Sequence, residues 1–139
     1  MKNQFFENST KLESMFSTLG SPEAKYKKII ELGQSMPAFS DDKRIEENRV
    51  PGCQSILYID CEISDGKLQF AAWSDALISK GLAAIAVIAF NGLTPNEMLT
   101  ASMEVFQKIG IISSLSPTRA NGFANLLVKM KQKTISFIN

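Results

Sequence analysis

"SILYIDCEISDGKLQFAAW", Ser55–Trp73, is the stretch whose reading decides the fold. In its first half, Leu57, Ile59, Cys61 and Ile63 alternate with Tyr58, Asp60 and Glu62. Successive side chains of a strand point to opposite faces, so this alternation predicts a half-buried strand. Ser64-Asp65-Gly66 carries hairpin-turn chemistry, and KLQFAAW returns as the second strand. A third strand is expected from residues 44–50.

On either side of the hairpin the apolar period becomes helical. Upstream, Thr10 and Glu13 have capping-box spacing before a helix predicted over Lys11–Leu19, with Leu12, Met15, Phe16 and Leu19 on one face and Gly20 as its stop. Ser21 and Pro22 open a second helix with a stripe of Tyr26, Ile29, Ile30 and Met36, ended by Pro37. Residues 38–52 form a loop whose charge run is a solvated surface.

Downstream, Ser74 or Asp75 is expected to cap a helix running to Phe90. Its LAAIAVIAF segment is apolar all round, as in a buried central helix. Asn91-Gly92 ends it. Thr94-Pro95-Asn96-Glu97 opens another helix, predicted to break near Ser102 and resume to Ile109. Ser116-Pro117 starts the last, with Ala120, Phe123, Leu127 and Met130 facing inward. The expected fold is α+β: a small antiparallel sheet of about three strands with helices packed on one face. Residues 1–139 are expected to form a single domain.

Composition excludes several function classes. Fifteen basic and 14 acidic residues leave a net charge of +1, with no electrostatic case for nucleic acid or an acidic membrane surface. The longest apolar run, residues 81–90, falls short of the roughly 20 residues that span a bilayer. The N-terminus lacks a signal-peptide layout, so a soluble cytoplasmic protein is expected. There is no histidine, hence no Cys-His pair and no histidine base. A zinc site would need both cysteines and two carboxylates, an unusual set, and no metal or cofactor is expected.

The two cysteines differ in setting. Cys61 falls on the apolar face of a strand and is expected to be core and inert. Cys53 lies in VPGCQS (Val50–Ser55), where Gly52 lets a turn present the thiol outward. Arg44 and Arg49 are close enough in sequence to lower its pKa. A reactive thiol and a cysteine that merely fills a loop cavity both remain open at this point. The two cannot pair across an extended strand, which would hold them about 25 Å apart at about 3.3 Å per residue, while a disulfide needs α-carbons within about 7 Å.

SPTRANG (Ser116–Gly122) holds two choices that weaken a helix. Arg119 in the first turn opposes the helix dipole. Gly122 lowers helix stability by up to about 1 kcal/mol relative to alanine. Together they point to an anion or thiolate near Arg119 and a close backbone approach at Gly122, with a surface salt bridge as the plain alternative for Arg119.

Four segments, YKKIIELGQ (Tyr26–Gln34), VPGCQS, SDALISKGL (Ser74–Leu82) and SPTRANG, carry a resemblance to the SufE family of sulfur-acceptor proteins, which includes CsdE. The likeness spans Ser21 to Lys133 and implies the fold shared with IscU-type scaffolds. It implies partnership with a pyridoxal-phosphate-dependent, SufS-like cysteine desulfurase, which the protein stimulates. The acceptor cysteine of the family maps to Cys53, which takes sulfur as a persulfide. It then passes sulfur to an iron–sulfur scaffold such as a SufB-like complex. IscU-type scaffolds use three cysteines, and this chain has two. Gly52 and Gln54 would shape the loop, Pro51-Gly52 would hinge it, and Arg119 would support the thiolate or contact the partner. Asp75 and Lys80 would lie near the loop or serve the central helix, with capping the simpler role for Asp75. The alternatives are a docking module that regulates the desulfurase without carrying sulfur, and an independent thiol enzyme. Oligomeric state is open between monomer and weak homodimer.

Overall fold

The computed structural model describes residues 3–138. Its hairpin pairs β1 (Leu57–Ser64) with β2 (Lys67–Ser74), from Leu57 opposite Ser74 to Ser64 opposite Lys67. Asp65 and Gly66 join the strands at φ 51° and 75°. Two successive left-handed residues twist as the flanking strands do, and Asp-Gly tolerates them. Leu57 and Ile59 are buried, but the same face becomes half-buried at Cys61 and exposed at Ile63, while across the ladder Leu68, Phe70, Ala72 and Ser74 all stay buried.

Among the described residues the sheet has two strands, not about three. Residues 44–50 contribute one isolated bridge, Arg49 opposite Tyr58, and the Val50 amide donates to the Leu57 carbonyl at 2.9 Å. One 3₁₀ turn, Glu46–Asn48, takes up most of the rest of that segment, and another, Asp41–Lys43, precedes it. The other edge is occupied by the chain leaving the central helix. Leu68 donates to Leu93 at 2.7 Å and accepts from Gly92 at 2.8 Å, and the Phe70 amide donates to Asn91 Oδ1. Both edges therefore find backbone partners in the flanking chain.

Helices α1 (Gln4–Ser17), α2 (Pro22–Gln34) and α3 (Leu77–Phe90) precede and follow the hairpin. Then come α4 (Pro95–Thr100), α5 (Glu104–Lys108), a 3₁₀ turn at Ile112–Ser114 and α6 (Pro117–Ile135). The break after α4 and the capping box of Thr94 and Glu97 match expectation. α3 packs against α1, α2, α6 and β2, and its residues from Gly81 to Val87 are all buried, as a helix apolar on all sides requires.

α1 begins two turns before the expected start. Asn3 caps it by accepting from the Phe6 amide, so Thr10 is interior. Asn8 is buried and donates to the carbonyls of Ala89 and Asn91, which binds α1 to the end of α3.

α2 and α3 meet through glycine. A β-carbon on Gly33 would lie 2.7 Å from the Gly81 nitrogen, and one on Gly81 would collide with the Ile29 carbonyl. Gly81 weakens its helix by about 1 kcal/mol relative to alanine, and in return the two backbones touch. On α6 the inward stripe is Phe123, Leu126, Met130 and Thr134, so Leu126 replaces the expected Leu127 at the centre. Phe123 meets Phe106 edge-on at 5.0 Å between ring centres, and Phe106 meets Phe90 at 5.8 Å. Such pairs contribute about 0.5–1.5 kcal/mol each beyond burial. They fix the first turns of α6 against α3 and α5. No helix among the described residues is long and apolar enough to cross a membrane.

Candidate functional site

The segment between Val50 and Leu57 is a loop closed at its neck. The Val50–Leu57 backbone bond closes one side, and the Asp75 amide donates to the Ile56 carbonyl at 3.3 Å on the other. Asp75 returns the bond through its side chain, accepting from the Ile56 amide at 3.0 Å. Asp75 therefore ties the loop and does not cap α3. That helix starts at Leu77 with Ala76 at its cap position and no side-chain cap, while Ser74 accepts from the Ala76 amide. Inside the loop the Ser79 hydroxyl, from α3, donates to the Ser55 hydroxyl at 3.0 Å.

Gly52 has φ +74°, which an L side chain rarely adopts. A β-carbon there would also come within 2.5 Å of the Asn125 amide nitrogen on α6. Cys53 follows it, half-buried, and donates its thiol proton to the Gly122 carbonyl at 3.6 Å. A β-carbon on Gly122 would stand 3.4 Å from that sulfur. The glycine in the first part of α6 thus marks a close approach, and what approaches is the thiol.

Beside Cys53 lies a cavity of about 320 Å³. Leu57, Ile78, Leu82, Phe123 and Leu126 form its buried floor. Gln54, Ser55, Ser79, Thr118 and Arg119 contribute the polar lining, and Tyr26 and Leu77 are its exposed apolar residues. The structure thus brings Cys53, Gln54 and Arg119 to one cavity. Gly52 shapes the turn behind it, and Asp75 holds the loop from outside. Lys80 does not line it.

The electrostatics depart from expectation. Arg49 does pull the Cys53 pKa down, but burial outweighs it and the thiol is held above its ordinary value. Arg44 is engaged elsewhere, with Asp41 at 3.0 Å and over the Trp73 ring at 4.9 Å. Arg119 forms no ion pair among the described residues, so the salt-bridge alternative is not the one taken. In the structure as folded, Cys53 is a sheltered, protonated thiol with a cation nearby.

Cys61 is free, like Cys53, and lies half-buried rather than in the core. Burial, with Asp60 next to it, pushes its pKa up to about 12 against a smaller opposing pull from Lys133. The Lys133 ammonium donates to Asn48, which in turn donates to the Lys43 carbonyl at 2.8 Å. Among the described residues no three histidine, cysteine or acidic side chains gather as metal ligands would.

The family model of SufE, described as the Fe-S metabolism associated domain, matches residues 10–134. That range contains every residue of the cavity. The chain belongs to the SufE family. An uncharacterized SufE-like protein of Synechocystis is 34% identical over 130 residues, covering 94% of this chain and 82% of that one. SufE-like proteins of Rhizobium meliloti and Rhizobium etli, also uncharacterized, are 34% and 32% identical over 123 residues. These two alignments cover 85% of this chain and 88% and 83% of the relatives. The fold is similar to the solution structure of a hypothetical protein from Thermus thermophilus, with a TM-score of 0.77, 18% identity and 94% of each chain covered. Within this SufE domain, Asn125 and Ser79 touch the cysteine loop without a local sequence signal. Each reaches it from a helix distant in the chain.

Proposed function

We propose that this SufE-family chain accepts sulfane sulfur as a persulfide on Cys53. The donor would be a pyridoxal-phosphate-dependent, SufS-like cysteine desulfurase, and the recipient an iron–sulfur scaffold of SufB-like type. The observation that carries the reading is the position of the Cys53 sulfur. It sits in a loop closed at a narrow neck, beside a cavity with an apolar floor, against a helix that has no side chain at the facing position. The family's role in Fe–S metabolism supplies the context. A single domain acting in the cytoplasm, where thiols stay reduced, suits two free cysteines.

The chemistry is thiol–disulfide exchange on sulfur. The Cys53 thiolate attacks the outer sulfur of the donor's persulfide, a new S–S bond forms, and the donor cysteine leaves as thiolate. Tucked in, Cys53 is protonated because burial disfavours the thiolate. Swung out on docking, it loses that penalty and keeps Arg49 as a neighbour in sequence. The loop would be less nucleophilic when sheltered than when presented. Its departure breaks only the Cys53–Gly122, Ser55–Ser79 and Asp75–Ile56 side-chain bonds, while the backbone neck holds. Stimulation of the desulfurase follows if acceptance of sulfur regenerates the donor cysteine.

The test is intact-protein mass spectrometry after incubation with a desulfurase and free cysteine. Transfer adds about 32 Da per sulfur to the peptide holding Cys53 and is reversed by a thiol reductant. The Cys53→Ser chain should neither gain mass nor stimulate turnover. Full stimulation by Cys53→Ser would instead establish a docking module that carries no sulfur.

A further inference from the structure

The cavity beside Cys53 is larger than its proposed cargo. One added sulfur atom needs space of the order of a single water, about 30 Å³. The cavity offers about 320 Å³. That volume reaches the lower end of pockets that hold small molecules, about 300–1,000 Å³. Its lining is also that of a ligand pocket. An apolar floor faces a few polar groups, and one nucleophile is placed among them.

The charge of the lining is one-sided. No aspartate or glutamate lines the cavity, and Arg119 is its one permanently charged residue. Arg119 has no ion-pair partner among the described residues, though it occupies the first turn of a helix where a cation is disfavoured. A guanidinium presents a planar fork of donors that matches a carboxylate. Arg119 is exposed and lines the cavity, so its donors are open to a ligand's carboxylate.

We infer that the cavity binds a small carboxylate-bearing thiol in its hydropersulfide form and exchanges sulfane sulfur with it at Cys53. The carboxylate meets Arg119, the short carbon chain lies on the apolar floor, and the outer sulfur reaches Cys53. This deepens the carrier reading and rests on it. In the exchange, the Cys53 thiolate attacks the outer sulfur of R–S–SH. The bond from Cys53 to that sulfur forms as the bond from R–S to it breaks. The electron pair leaves on RS⁻, the proton stays on the transferred sulfur, and no external oxidant or reductant is consumed. The same step in reverse discharges Cys53 to a small thiolate. The protein would then be loaded or unloaded without a protein partner.

Two probes of similar size and opposite charge test this, the hydropersulfides of 3-sulfanylpropanoate and of 2-aminoethanethiol. The rate of sulfur gain at Cys53 is followed by mass spectrometry against probe concentration. Each rate is divided by that of the free hexapeptide Val50–Ser55, which has the thiol without the cavity. With the carboxylate probe the rate should saturate, and at low concentration it should exceed the cationic probe by about tenfold, the size of one charge-assisted hydrogen bond. Arg119→Gln should abolish the preference and Arg119→Lys should keep part of it, at unchanged melting temperature. Linear rates for both probes, or a preference that survives Arg119→Gln, overturn the inference. A parallel incubation with desulfurase and free cysteine separates the two failures. Loading there without probe preference leaves Cys53 a carrier and removes the small-molecule site. No loading there removes the carrier reading itself.

Discussion

The sulfur of Cys53 faces Gly122 across the boundary between the loop and α6, 3.6 Å from its carbonyl oxygen, and no side chain intervenes. The helix accepts a glycine in its second turn, and the space gained belongs to the thiol. Gly122→Ala should therefore separate stability from function. The alanine raises helix stability by up to about 1 kcal/mol. Its methyl group stands 3.4 Å from the sulfur and narrows the space where a second sulfur would sit. The expected outcome is an unchanged or higher melting temperature with several-fold less persulfide retained after loading, read by calorimetry and mass spectrometry.

Gly52→Ala should act in the opposite sense on stability. The left-handed backbone opposes any β-carbon by about 1–2 kcal/mol, and the Asn125 amide occupies the place where one would go. The loop should lose its resting position, with Cys53 alkylated faster by iodoacetamide. Asn125→Ala should relieve the collision but not the backbone strain, so the double variant should recover part of the loss in urea denaturation.

Asp75→Ala should loosen the loop without touching the cavity. It removes the bond to the Ile56 amide, an interaction of about 1 kcal/mol at most for an exposed pair. Hydrogen exchange at Ile56 and alkylation of Cys53 should both accelerate, while the amides of α3 should be unaffected because that helix does not use Asp75 as its cap.

Both thiols titrate above the ordinary value of 9.0 in the folded chain. At neutral pH they are protonated folded or unfolded and contribute no pH dependence. As pH rises through the ordinary value, the unfolded thiols ionise first. The folded state then binds more protons, and stability falls until the folded thiols ionise too. For Cys61 that window runs from 9.0 to about 12. Cys61→Ala should flatten the alkaline fall in melting temperature across it. Alkylation should follow the same order, Cys53 reacting at lower pH than Cys61.

Much of this site could be read from short stretches. Asp65-Gly66 announced the hairpin turn, and the oddity of glycine in the first part of α6 announced a close approach that the structure shows. The places that differed involve partners far away in the chain. Asp75, just before a helix, has the local look of a cap, but its side chain serves an amide 19 residues earlier. Residues 44–50 resembled a strand, yet Glu46–Asn48 turn as a 3₁₀ helix and a single bridge from Arg49 to Tyr58 is left on the edge of β1. Arg49 does act on Cys53 as its nearness suggested. Burial, which one-dimensional pattern cannot weigh, outweighs it.

The closed neck has a geometric consequence for any protein that trades sulfur with Cys53. The cysteine is three residues on from Val50, whose backbone bond to Leu57 anchors the loop to the sheet. A chain spans at most about 3.3–3.6 Å per residue, so the tether is about 10 Å long at full stretch. Sulfur buried deeper than that in a partner lies out of range unless the rim of the neck enters too. The length of a leash, set by one hydrogen bond, thus limits the depth of the active sites this thiol can visit.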